Sequence, residues 1–139
     1  MEFSTITFGI AVVIVGVLIF IAITLTGKKS YTFDKAEYQL AFLKIENALE
    51  KSNPATYDLS LVEADKLLDK ALSEMGVPAK TMGDRLKKVG DKLTGLNSVW
   101  YAHKLRNQIA HEHGFHVEYN QARHALNTYK KALQDLGAI

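Results

Sequence analysis

The residues best suited to chemistry are concentrated in the last 37 residues of this 139-residue chain. All five histidines lie there, namely His103, His111, His113, His116 and His124. The chain has no cysteine, which excludes thiolate nucleophiles, cysteine-rich zinc sites, iron–sulfur clusters and disulfides. Any acid–base chemistry must therefore come from histidine, carboxylates, basic side chains or hydroxyls.

Arg106 and His111 are spaced so that one helix presents both on the same face. At about 100° per residue, an arc roughly 140° wide also includes His103, Asn107 and Ala110. A guanidinium can clamp a phosphate, and a histidine near neutrality can take a proton from a ribose 2′-hydroxyl or give one to a leaving 5′-oxygen. This combination suits metal-independent RNA cleavage. Asn107 lies one turn before His111, so its amide is predicted to orient the imidazole or to contact substrate.

Two simpler interpretations of these residues stay open. Arg106 could be a surface residue and His111 a residue favoured by the helix dipole at the last turn. A metal site of His111, His113 and His116 is disfavoured, because positions i and i+2 diverge on a helix and no HExxH sequence is present. We predict neither a metal nor a cofactor.

Charge is divided unevenly along the chain. Residues 30–79 contain 5 basic and 9 acidic residues, whereas residues 80–131 contain 10 basic and 4 acidic residues. A local basic excess suits phosphate-rich partners such as RNA, nucleotides or anionic lipid head groups. The alternative is an ordinary solvated helix face.

The apolar periodicity predicts an all-α fold with four or five helices after residue 33. Asp34 is predicted to cap a helix that runs to about Ser52, and Ser60 with Glu63 to cap a second that Gly76 closes. A brief helix is predicted after Thr81, and another from about Asn97 or Ser98 to Glu112. The last helix is predicted from about Glu118 to Leu136.

The first 27 residues have the composition of a membrane anchor. The 24 residues from Phe3 to Thr26 are uncharged, and as a helix they would span roughly 36 Å, enough to cross a hydrocarbon core of about 30 Å. A cleaved signal peptide is disfavoured, because no basic residue precedes the apolar run and no Ala-x-Ala follows it. Lys28 and Lys29 place the remainder of the chain in the cytoplasm by the positive-inside rule, with the N-terminus outside.

We therefore predict three parts: an anchor over residues 1–27, a short juxtamembrane linker over 28–33 and a cytoplasmic bundle over 34–139. The protein is then a single-pass protein of the cell membrane.

The run Arg106, Asn107, three further residues and His111 resembles the RNxxxH motif of the HEPN superfamily. The motif lies near the start of the last helical pair of a small helical bundle, and Trp100 to Leu105 ahead of it are also in keeping. The resemblance implies a four- or five-helix bundle that forms a homodimer with the two motif helices facing a shared cleft. It also implies RNA cleavage without metal to a 2′,3′-cyclic phosphate. Arg106 would then stabilise the phosphate, His111 act as general acid or base, and Asn107 support both.

Two functions compete at this point. One is a membrane-tethered endoribonuclease with a composite Arg106/His111 site and with His103, Lys104 and His113 as neighbouring substrate-binding residues. The other is a non-catalytic anchored module that binds RNA, a nucleotide or a protein partner, since many superfamily members keep the fold without the chemistry. Restraint of a nuclease at the membrane would require an inhibitor or partner that the sequence does not identify. Trp100 is predicted to lie in the core or an interface, with base stacking as the alternative.

Overall fold

The computed structural model describes residues 2–26 and 31–139, which contain six helices and no strand. The chain divides into two units, Met1–Ser30 and Tyr31–Ile139. The predicted all-helical class, with one apolar N-terminal helix and a bundle of five, is confirmed. Half of the predicted linker, residues 28–30 with both lysines, lies outside the described residues.

The N-terminal unit contains one helix, α1, over Glu2–Thr26. Its segment Ile6–Ile23 is long and apolar enough to cross a membrane. The large side chains of this segment are exposed, from 44% at Ile21 to 72% at Phe8. Transfer of such apolar side chains out of water lowers the free energy, so the composition of this helix suits a lipid environment.

The second unit consists of five helices and one short turn of 3-10 helix. The helices are α2 (Lys35–Ala48), α3 (Ala55–Glu74), α4 (Met82–Val89), α5 (Leu96–His111) and α6 (Tyr119–Asp135), and the turn is Gly90–Lys92. The central helix is α3, because it packs against each of the other four.

Capping side chains fix most helix ends where the sequence predicts them. Asp34 accepts from the backbone N–H of Glu37, and Thr81 accepts from that of Asp84. Gly76 closes α3 with a φ of +72°, in the left-handed region that favours glycine. At α6, Glu118 and Gln121 satisfy each other's backbone N–H groups in a capping box.

Two predicted boundaries are wrong. Helix α2 ends at Ala48 rather than near Ser52, because Leu49 is already extended. Helix α3 begins at Ala55 rather than at Ser60, since Pro54 has helical φ and the Asn53 side chain accepts from the N–H of Ala55. Ser60 is thus a buried residue inside the helix and caps nothing.

The inward-facing apolar stripes of α3 and α6 form the centre of the core. On α3 the completely buried members are Leu61, Ala64, Leu68, Ala71 and Leu72. On α6 the stripe is Ala122, Ala125, Leu126, Tyr129 and Leu133, all at most 3% exposed. On α2, Tyr38 and Phe42 are buried, and the Tyr38 hydroxyl donates to Glu74 at 2.8 Å. Burial of these faces holds the five helices in one arrangement.

Helix α3 offers a matched test of this core. Leu68→Ala removes a completely buried side chain and should lower the free energy of unfolding by about 2–5 kcal/mol. Leu59→Ala on the same helix removes a side chain that is 58% exposed and should change it by less than about 0.5 kcal/mol. Urea unfolding, monitored by the fluorescence of Trp100, the only tryptophan, measures both changes in unfolding free energy. Equal effects of the two substitutions would contradict the assigned core.

Candidate functional site

A groove of about 630 Å³ lies between α3, α4 and α5, and we call it the Arg106 groove. Each of the three helices contributes polar side chains to it. Its lining comprises Asp65, Lys66 and Asp69 of α3, Thr81, Met82, Gly83, Asp84 and Lys87 at the start of α4, and Trp100, His103, Arg106, Asn107 and His111 of α5. The three predicted catalytic residues therefore line one groove, as does His103.

The floor of the groove contains a buried carboxylate. Asp65 is only 4% exposed, in the middle of α3. Its Oδ1 accepts from the Tyr129 hydroxyl at 2.8 Å and lies 2.8 Å from His103 Nδ1, while its Oδ2 is 3.5 Å from Arg106 Nε. A charge at this depth is tolerated only when it is paired and hydrogen-bonded. Asp65 is thus contacted by one side chain of α6 and two side chains of α5.

Tyr129 is the completely buried member of this cluster. Burial raises the pKa of its hydroxyl well above the ordinary 10.0, and the negative charge and hydrogen bond of Asp65 raise it further. The positive charge of Arg106 opposes this shift without cancelling it. Tyr129 therefore stays protonated and serves as a permanent hydrogen-bond donor to Asp65.

Arg106 is ion-paired on one side. Its Nε is buried 3.5 Å from Asp65 Oδ2 without a hydrogen bond, and its Nη1 donates to Asn107 Oδ1 at 3.3 Å. The side chain remains 30% exposed and lines the groove. Asn107 thus contacts Arg106 in this structure, whereas the sequence predicted an orienting role toward His111.

His111 is the last residue of α5 and lines the Arg106 groove. It is exposed, and within residues 31–139 its ring makes no hydrogen bond or ion pair. The ring is free to reorient toward a ligand in the groove.

His103 is enclosed by contrast. Its side chain is 12% exposed, and its ring packs edge-on against Trp100 with centroids 6.2 Å apart. Trp100 is half-buried and lines the groove, so it lies neither in the core nor fully in solvent.

The other two predicted neighbours lie outside the groove. Lys104 is exposed and borders a shallow adjoining depression with Trp100 and Tyr101. His113 lies in the exposed turn after α5. Neither contributes to the lining of the Arg106 groove.

The groove is mixed in charge rather than uniformly basic. Asp65, Asp69 and Asp84 line it beside Lys66, Lys87 and Arg106. A hydrogen bond from the Thr81 hydroxyl lowers the pKa of Asp84, and the neighbouring Lys87 lowers it further. Asp69 is paired with Arg85 at 2.7 Å. Among residues 2–26 and 31–139, no three His, Asp or Glu side chains are grouped so as to hold a metal ion.

Asp65 and Tyr129 are the site residues that the sequence analysis missed. Asp65 lies in register with the inward stripe of α3, between Leu61 and Leu68. A carboxylate at such a position is a signal in the sequence, since an unpaired charge is not placed in a core. Its partners are 38 and 64 residues away, and only the fold identifies them.

In comparisons with protein-family models, with curated proteins and with solved structures, no match to this chain was found. The assignment of the site therefore depends on the geometry and chemistry of the chain itself.

The hydrogen bond between Tyr129 and Asp65 makes a prediction about alkaline stability. Tyr129→Phe removes a donor to a buried carboxylate and should lower the free energy of unfolding by about 1.5–3 kcal/mol at pH 7. The pKa of Tyr129 is raised in the folded state, so its contribution is complete below pH 10 and declines as pH rises above 10, where only the unfolded chain releases the proton.

Urea unfolding of wild type and Tyr129→Phe between pH 7 and 11 measures this contribution as a difference. The lysines and the other tyrosines titrate in both proteins, so their contributions cancel in the difference between the two unfolding free energies. The difference should be constant up to about pH 10 and then shrink. A difference that grows with pH would contradict the protonated, hydrogen-bonded state of Tyr129.

Proposed function

We propose that this protein is a membrane-tethered, metal-independent endoribonuclease that acts through the Arg106 groove. The observation that carries the proposal is that Arg106, Asn107 and His111, the residues of the RNxxxH motif, line one groove with the Arg106 guanidinium partly accessible. Arg106 binds the scissile phosphate, Asn107 holds the guanidinium from the side, and His111 transfers a proton. The reaction breaks the bond from phosphorus to the 5′-oxygen and leaves a 2′,3′-cyclic phosphate and a 5′-hydroxyl.

A second copy of the chain completes the site in this proposal. The resemblance to HEPN proteins supports a homodimer in which two α5 helices face a common cleft. The exposed outer surface of α5 supports it too, with Tyr101 47% exposed beside Lys104. Two chains anchored in one bilayer are held at a high effective concentration, which favours pairing.

A second candidate function is a non-catalytic anchored module that binds RNA, a nucleotide or a protein partner. One observation favours it: the Arg106 guanidinium is already paired with Asp65, and His111 has no orienting partner within the described part of the bundle. A site organised for binding alone needs no oriented histidine. The two functions differ in whether RNA is cut.

Cleavage of RNA by the full-length protein in detergent, with EDTA present, tests the proposal. Arg106→Ala and His111→Ala should each lower the cleavage rate by about 100-fold or more, because each removes a group acting in the transition state. His124→Ala is the matched control, since this exposed histidine of α6 lies outside the Arg106 groove and should retain full activity.

Light scattering gives the mass of each variant, and circular dichroism its fold. A folded wild-type dimer that leaves RNA intact would contradict the ribonuclease and favour the binding module.

The proposed topology places the bundle in the cytoplasm and the N-terminus outside. Because the natural chain has no cysteine, single cysteines at Ser4 and Ser98 can be labelled without background. In intact bacterial cells a membrane-impermeant maleimide should label Ser4→Cys at once and Ser98→Cys only after lysis. The reverse pattern would overturn the orientation, and labelling of both before lysis would overturn the anchor.

A further inference from the structure

Asp65 and His103 form a pair with the geometry of an oriented imidazole base. Nδ1 of His103 lies 2.8 Å from Asp65 Oδ1, and the two side chains are only 12% and 5% exposed. An ionised carboxylate can only accept hydrogen bonds, so the proton of the neutral ring resides on Nδ1. The lone pair is thereby placed on Nε2.

Nε2 of His103 faces Gly83 at the start of α4, and both residues line the Arg106 groove. A Cβ atom built on Gly83 would make ordinary van der Waals contact with Nε2 at 3.9 Å and with the Trp100 ring at 3.5 Å. Because this position is glycine, no side chain covers the nitrogen. His103 is therefore a half-buried ring whose Nε2 borders the groove.

His103 and His111 lie on the same helix in opposite environments. His103 is fixed and has a carboxylate behind it, whereas His111 is exposed and lies at the helix C-terminus. A carboxylate behind Nδ1 orients an imidazole and stabilises its protonated form, as a general base requires.

We propose that His103 is the general base of the ribonuclease and that Asp65 is its positioning residue. This inference depends on the proposed function. His103 Nε2 takes the proton of the ribose 2′-hydroxyl as the 2′-oxygen bonds to phosphorus. The bond from phosphorus to the 5′-oxygen breaks, and that oxygen takes a proton from protonated His111. His103 ends protonated and His111 neutral, and exchange with water restores both.

The titratable and charged groups that line the Arg106 groove with His103 come from three helices. They are Asp65, Lys66 and Asp69 of α3, Asp84 and Lys87 of α4, and Arg106 and His111 of α5. Tyr129 of α6 donates a hydrogen bond to Asp65. Asp65 is the one in direct contact with the ring of His103.

His103→Asn separates the chemical role from a structural one. The asparagine amide can donate to Asp65 in place of Nδ1, yet it has nothing in place of Nε2. In the full-length protein, His103→Asn should retain its unfolding temperature and KM while kcat falls by about 100-fold or more. The acidic limb of its pH–rate profile should disappear. His124→Asn is the control and should leave rate and profile unchanged.

Asp65→Asn provides a second, independent readout. It removes the negative charge while keeping an acceptor for Tyr129, so the hydrogen bond that holds the ring of His103 is no longer charge-assisted. The kcat should fall while KM stays unchanged, because the base is less well positioned but substrate binding is not altered. This variant decides the matter if His103→Asn does not fold.

The outcomes distinguish the inference from the proposed function. If wild type cleaves RNA and His103→Asn cleaves equally well with the same acidic limb, His103 is not the base and the ribonuclease stands. An unchanged kcat in Asp65→Asn likewise overturns the positioning role. If folded wild type leaves RNA intact, both the proposed function and this inference are wrong.

Discussion

A single buried carboxylate constrains how three helices of the bundle meet. Moving an isolated charge into a protein interior is prohibitive, and the cost falls only when donors surround it. Asp65 meets this requirement with the Tyr129 hydroxyl, His103 Nδ1 and the nearby Arg106 guanidinium. The packing of α3, α5 and α6 brings these groups together, and any register that separated them would leave a buried charge unpaired. Apolar burial drives the association, and Asp65 disfavours arrangements that remove its partners.

The same requirement shapes the chemistry of the Arg106 groove. The Arg106 side chain is ion-paired with Asp65, and about a third of it stays exposed. The hydrogen bond to Asp65 also holds the ring of His103, whose Nε2 faces Gly83. The buried ion cluster and the Arg106 groove therefore share the same side chains. His111 lies outside this cluster, and its ring has no hydrogen-bond or ion-pair partner within residues 31–139.

Local signals in the sequence were sufficient for much of the fold. The caps at Asp34 and Thr81 and the glycine at Gly76 act within four residues, and the structure confirms them. The Ser60 and Glu63 pattern was misleading. Helix α3 begins at Ala55, directly after Pro54, and Ser60 is a buried residue within that helix. Helical periodicity put Arg106, Asn107 and His111 on one face. The link from Asp65 to His103 and Tyr129 spans up to 64 residues, and no local pattern contains it.

The central claim is that Asp65 holds His103 with its Nδ1 protonated and its Nε2 facing the groove. Long-range nitrogen–proton NMR spectra of the full-length protein with ¹⁵N-labelled histidine distinguish the two ring nitrogens, and the His103→Asn spectrum assigns the signals. The account predicts that neutral His103 exists as the Nδ1–H tautomer, the reverse of the preference of a free histidine side chain. A neutral ring with its proton on Nε2 would contradict it, because the lone pair would then be directed at Asp65 and not at the groove.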